Sequence, residues 1–208
     1  MKQDKQLENK NSWVYRAVGA SNHQPELRQE DDFYATSPSA IDDLLLVEQF
    51  SDYIWECAAG ENHLANRLEE QFGKKVFKTD IVQRKSDIAI LNFLSSESLL
   101  FDDEYDIITN PPYKYALEFC EQAIRLMQNK CAMLLNIRFL EGQSRYKFFQ
   151  EHPMKKVWVY SQRLACAKDG DFERYKGGVT AFAWFVWEKG WHGDTTIGWI
   201  PPKGSKEL

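Results

Sequence analysis

The sequence predicts an α/β fold: a mostly parallel, doubly wound sheet with helices packed on both faces. Three observations predict it. Apolar runs of strand length alternate with segments whose apolar residues recur at helical spacing. Several strand-like runs stop abruptly at small residues or prolines that then open a helix. Hydrophobic residues make up 43% of the 208, which supplies a core and excludes wholesale disorder.

Residues 1–31 are polar, with little periodicity apart from Trp13, Val14 and Tyr15, and read as a flexible arm or lid. A folded domain is expected over 32–200, followed by a tail at 201–208. Ser37 suits an N-cap and Pro38 a first helical position, and Ile41, Leu44 and Leu45 continue the helix. Residues 52–57 read as a buried strand, and 58–62 as a turn. Leu64, Ala65, Leu68 and Phe72 mark one face of the next helix, which Gly73 stops. Residues 75–79 form a second strand that ends at Asp80. A third, shorter strand is expected over 87–93. Residues 105–109 form another, which two prolines terminate. Ala116, Phe119, Cys120, Ala123, Ile124 and Met127 share a helix face. A strand over 131–137, a short helix over 144–151 and a strand over 157–160 follow. Residues 161–178 read as a polar loop, and 179–187 as the last core strand.

No apolar run approaches the roughly 18 residues of a membrane span, and the N-terminus has no apolar segment of the secretory kind. The four cysteines are far apart, with no CxxC and no Cys/His cluster, which argues against zinc. Cys57, Cys120 and Cys131 sit among apolar neighbours as small core residues. Reduced thiols and the polar N-terminus point to the cytoplasm. The net charge is -5, against a protein whose whole surface grips phosphate. Residues 138–176, however, hold nine basic and five acidic residues. That stretch permits a local contact with a polyanion; ordinary surface charge explains it equally well.

Ligands of parallel sheets bind beyond the carboxyl ends of the strands, which directs attention to three turns. In the first, Glu56-Cys57-Ala58-Ala59-Gly60-Glu61-Asn62, small residues allow close backbone approach, and the turn opens a helix N-terminus. Many tight turns look similar. In the second, Asp80 ends a strand about 20 residues beyond Gly60, where an acid can accept two ribose hydroxyls. The ordinary alternative is a helix cap or a solvated loop acid. No GxGxxG is present, which disfavours dinucleotide enzymes. In the third, Asn110-Pro111-Pro112-Tyr113, two prolines set a rigid backbone. They would face the Asn110 amide and the Pro111 carbonyl to one point, where two acceptors bind the hydrogens of an exocyclic amine. Tyr113 can stack on a planar base or amide. The plain alternative is a proline-ended strand before a helix.

With these motifs the chain resembles class I S-adenosylmethionine-dependent methyltransferases of the DNA adenine-N6 group. It is most similar to small orphan enzymes of phages and mobile elements, over residues 19–200. The resemblance implies a Rossmann-like, seven-stranded sheet with an antiparallel last strand pair. Asp32, Phe33, Tyr34, Ala35 and Thr36 look like the family's cofactor-closing motif. Glu56, Cys57, Ala58, Gly60 and Asn62 look like its methionine-binding loop. Asp80 matches the acid that holds the cofactor ribose, with Ile81 beside the adenine. Asn92 and Phe93 look like the segment contacting that adenine. Asn110, Pro111, Pro112 and Tyr113 match the amine-activating motif. Residues 19–23 and 182–190 also resemble the phage subgroup. Asn62 stands where glycine is usual, but asparagine tolerates a left-handed backbone. Ser37 and Asn92 also depart from the common pattern.

The resemblance implies methyl transfer to adenine N6 in DNA, with the base flipped out of the duplex and no metal required. Trp184 and Phe185 are candidates to sandwich the base against Tyr113, with core packing the competing role. DNA contact is expected from Arg138, Arg163, Lys168, Arg174 and Lys176. His23 and His63 read as surface or capping residues. RNA is an open alternative acceptor. Protein glutamine-N5 methylation shares the Asn-Pro-Pro-Tyr motif, but those enzymes resemble longer chains with a helical N-terminal domain. A non-catalytic nucleic-acid-binding module on the same fold is the alternative from another class.

Overall fold

The computed structural model of the chain describes residues 35–97, 104–164, 166–167 and 180–204. The expected arm over 1–31, Tyr34, most of the loop from 165 to 179 and the end of the tail lie outside the described residues.

The elements run β1 (Ala35–Thr36), α1 (Ser39–Val47), β2 (Tyr53–Glu56), α2 (His63–Phe72), β3 (Lys75–Asp80) and β4 (Ala89–Ile90). There follow a 3-10 turn (Phe93–Ser95), β5 (Tyr105–Thr109), a second 3-10 turn (Tyr113–Tyr115), α3 (Ala116–Leu126) and β6 (Lys130–Asn136). A third 3-10 turn (Ile137–Leu140), α4 (Gln143–Glu151), β7 (Lys156–Tyr160), β8 (Cys166–Ala167), β9 (Phe182–Glu188) and β10 (Thr196–Ile200) complete the order.

Eight strands form one sheet in the order β10-β7-β9-β6-β5-β2-β3-β4. All neighbours are parallel except β9, which inserts antiparallel between β6 and β7. The fold class is the one the sequence predicts, with β10 added as an eighth strand at the edge. Alternation along the central strands divides the core. Trp55, Ile107, Met133 and Phe185 face α3 and α4. Ile54, Ile108, Leu134 and Trp184 face α1 and α2. Strands covered on both faces read as continuous apolar runs, which is why β5 and β9 were legible. A separate short ladder pairs β1 antiparallel with β8, matching Thr36 with Cys166.

Asp106 anchors the far end of the sheet. Its fully buried carboxylate accepts the Ser51 and Lys130 amides at 2.6 and 2.7 Å and the Asn129 Nδ2 at 3.0 Å. Gly198 is required for β10 to close on β7: a Cβ there would lie 2.2 Å from the Trp158 ring.

Some boundaries differ from expectation. The Ser37 hydroxyl does not cap α1; it meets the Ser39 hydroxyl at 3.0 Å, and the Ser37 carbonyl takes the first amide, from Ala40. The strand expected over 87–93 shrinks to β4, because the Asn92 side chain accepts the Leu94 amide and turns the chain into a 3-10 helix. The loop expected over 161–178 carries β8. No helix among the described residues is long and apolar enough to cross a membrane.

Candidate active site

A cleft of about 490 Å³ opens beyond the carboxyl ends of β2, β3 and β5. All three turns singled out in the sequence contribute to its walls.

Glu56, Cys57 and Ala58 form the wall after β2. The turn is held from behind. The Ala59 amide donates to the Thr79 carbonyl at 3.0 Å, and the Gly60 amide donates to Asp80 Oδ2 at 2.9 Å. Asn62 adopts φ 68°, the left-handed conformation anticipated for it, and is the one non-glycine residue with positive φ among those described. Its Nδ2 donates to Asp87 at 2.8 Å, and Asp87 also pairs with Lys78 at 2.8 Å. Gly60 and Asn62 therefore shape the turn from within and do not reach the cleft surface.

Burial pushes the Glu56 carboxyl up to about 8; the Thr109 hydroxyl and Ala58 amide oppose that rise, and the nearby Asp80 adds to it. Burial likewise drives the Cys57 thiol well upward. The wall thus offers a neutral thiol and a carboxyl that gains from any cation placed beside it.

Asp80 lines the cleft at the end of β3. Besides Gly60, it accepts the Val82 amide at 2.9 Å and meets Arg84 Nη1 at 3.3 Å. Ile81 follows on the wall with 67% of its surface exposed, an apolar face open to a planar ligand. Asn92 and Phe93 close this side. Phe93 is also core, packed edge-on against Trp55 at 5.1 Å and tilted against Phe119 at 5.0 Å.

Asn110, Pro111, Pro112 and Tyr113 form the remaining wall. Asn110 Nδ2 donates to Thr36 Oγ1 at 2.6 Å, whereas its Oδ1 is buried with no hydrogen-bond partner. Thr36 itself lines the cleft. The Tyr113 ring leans on Phe182, centroids 6.0 Å apart and planes at 36°. Trp184 and Phe185, expected beside Tyr113, are fully buried in the core instead. Trp184 lies two residues deeper than Phe182 on the same sheet face, and Phe185 lies on the other.

Glu61, within the first turn singled out in the sequence, lines the cleft, and sequence reasoning missed His63 and Arg84, which line it too. His63 Nε2 lies 3.4 Å from Glu61, so this histidine belongs to the site wall and not to open surface. Its place as first residue of α2, directly after the small-residue turn, was the available signal. Arg138 and Arg163 are exposed and off the cleft wall. Lys168, Arg174 and Lys176 lie outside the described residues. Among the described residues, no three His, Cys, Asp or Glu side chains gather as a metal site would require.

The fold is that of methyltransferases. The chain is similar to the methyltransferase subunit of a type I restriction-modification system from Streptococcus thermophilus, with TM-score 0.54 and 12% identity over 77% of this chain and 45% of that one. It is similar to the 23S rRNA methyltransferase ErmE, with TM-score 0.53 and 13% identity over 77% of this chain and 72% of that one. An S-adenosylmethionine-dependent O-methyltransferase from Thermotoga maritima gives TM-score 0.50 and 14% identity over 75% and 66% of the two chains. The chain thus spans under half of the type I subunit and just under two thirds of the O-methyltransferase. No protein-family model and no curated protein sequence matches it.

Proposed function

We propose that this chain methylates the N6 amine of adenine in DNA, with S-adenosylmethionine as donor. The single observation that carries the reading is Asn110 Oδ1, a buried acceptor with no hydrogen bond of its own, on a residue that lines the cleft. A buried acceptor left unpaired costs free energy, and an amine hydrogen arriving in the cleft removes that cost.

The cleft fits the donor on three counts. Its volume falls in the range of small-molecule sites. Glu56 offers a carboxyl whose ionisation a cationic amino-acid moiety would favour. Asp80 and Ile81 place an acceptor and an apolar face side by side, as a ribose and a purine require. When bound, S-adenosylmethionine supplies a methyl group on positively charged sulfur, and the amine that accepts it sheds one proton. The chain's own residues do the positioning, which is where such a reaction gains its rate. Asn110 accepts a hydrogen bond from the amine and turns the nitrogen lone pair toward the donor half of the cleft. Tyr113, backed by Phe182, holds the base plane. Arg138 and Arg163 follow β6 and β7 at the same sheet end and are assigned to backbone phosphates.

Nucleoside mass spectrometry tests this. Purified protein and S-adenosylmethionine are incubated with unmethylated duplex DNA, single-stranded DNA and RNA, with Asn110→Ala as control. N6-methyladenine in DNA, lost in the variant, is the expected result. Methylation confined to RNA would replace the proposed substrate, and cofactor binding without methylation of any nucleic acid would overturn a nucleic-acid substrate altogether.

A further inference from the structure

We propose that Thr36 is a positioning residue for Asn110: its hydroxyl anchors the side-chain amide that is to receive the acceptor amine. This deepens the proposed reaction and rests on that reading of the site.

An asparagine amide has two faces of opposite polarity. Turned by 180° about its last side-chain bond, it shows donors where it had shown an acceptor. An amine that must donate a hydrogen bond to Asn110 would then meet N–H groups. The prolines after Asn110 constrain the backbone, but they leave the side-chain amide free to turn. Thr36 anchors it: Oγ1 accepts Asn110 Nδ2 at 2.6 Å, and Oδ1 is buried with no partner in this arrangement. A hydroxyl can also donate to the oxygen of a turned amide, so the bond fixes the plane of the amide, and the arrangement observed is the one that leaves oxygen for the amine.

Thr36 is itself well fixed. It is 4% exposed, so water competes little for its hydroxyl. Its backbone pairs with Cys166 in β8, and α1 begins three residues later. β-Branching leaves few side-chain rotamers and favours the extended backbone found here. The hydroxyl therefore comes from a short strand braced on both sides, 74 residues away in sequence from the amide it orients. The same residue lines the cleft, so a direct role in holding the donor is the rival account.

The two accounts separate in Thr36→Val, which keeps the shape and removes the hydroxyl. Thr36→Ala repeats the deletion should valine not fold, and Thr36→Ser restores the hydroxyl. With the full-length chain, three quantities are measured: transfer kcat, S-adenosylmethionine affinity by calorimetry, and the Asn110 side-chain amide signals by NMR. Those signals are assigned by their loss in Asn110→Ala. The expected result is kcat lowered about tenfold in Thr36→Val, the worth of one oriented hydrogen bond, with donor affinity unchanged and recovery in Thr36→Ser. The amide pair should shift and exchange faster with water in valine and alanine, but not in serine. Unchanged kcat with weakened donor binding overturns the proposal in favour of a donor contact. Unchanged amide signals overturn it whatever the kinetics. The NMR measurement needs no turnover, so it still reads Thr36 if the chain proves to methylate nothing.

Discussion

Asp80 Oδ2 accepts the Gly60 amide at 2.9 Å, tying the turn after β2 to the end of β3. The acid is therefore part of the turn's construction as well as part of the cleft wall. Asp80→Ala removes the acceptor for Gly60 and Val82 together, and each amide is then left to whatever water reaches it. The expected cost is about 2 kcal/mol, read from the urea midpoint at unchanged slope. S-Adenosylmethionine affinity should fall in the folded protein by on the order of tenfold. Asp80→Asn, which keeps one acceptor oxygen, should lose less of both. Equal stability in Asp80→Ala and the unaltered chain would show that the Gly60 contact is incidental.

Asn62 is the second support of the same turn. Alanine in its left-handed conformation is strained, and the bond to Asp87 is lost as well. Asn62→Ala should cost about 2 kcal/mol, a fall in Tm of roughly 4–8 °C at this chain length. Asn62→Gly relieves the strain and loses only the bond, so it should cost about half as much. A glycine variant less stable than the alanine one would show that the backbone strain is not what asparagine absorbs.

Most of this site was legible because its parts lie at strand ends that sequence pattern locates well. A small-residue turn, an acid ending the next strand and a proline pair ending a third each declare themselves locally. What failed was depth and partnership. Periodicity places Phe182 and Trp184 on one face of β9, yet it does not tell which lies at the cleft end; the end at which an antiparallel strand enters the sheet decides that. The strand β10 escaped notice because Gly198 interrupts a short, half-exposed run, and the need for that glycine comes from Trp158 on another strand. The Thr36–Asn110 bond joins residues that no local pattern connects.

Glu56 gives the fold a pH dependence with a defined sign. Its carboxyl sits at about 8 in the folded chain against 4.5 for the ordinary group. Between those values the folded state binds more protons than the unfolded state, so stability falls as pH rises. The contribution is complete below about pH 4.5 and lost through pH 8. Glu56→Gln cannot ionise, and its urea midpoint should stay flatter from pH 5 to 8 than that of the unaltered chain. The two pH profiles should converge toward the acid end of the window. Donor binding should act in the opposite sense, releasing a proton near neutral pH as the carboxyl ionises beside a cation. Calorimetry in two buffers of different ionisation heat reads that proton directly, and its persistence in Glu56→Gln would assign it to another group.

Phe182 provides a test in which packing and chemistry come apart. It is 4% exposed and carries the Tyr113 ring, so Phe182→Leu should cost about 1 kcal/mol of stability through imperfect repacking. If Tyr113 holds the acceptor base, losing its aromatic neighbour should also lower transfer by several-fold. Donor affinity should not change, because Phe182 does not reach the cleft wall. Trp184→Phe is the matched control. It removes the bond from Trp184 Nε1 to the Tyr160 hydroxyl at 3.0 Å and should destabilise the chain by a similar amount, about 1 kcal/mol. Its transfer rate per folded molecule should stay unchanged, since this ring lies deeper on the same strand, away from Tyr113. Equal transfer rates in the two variants would mean that Phe182 serves only the core and that the base plane is held by some other group of the cleft.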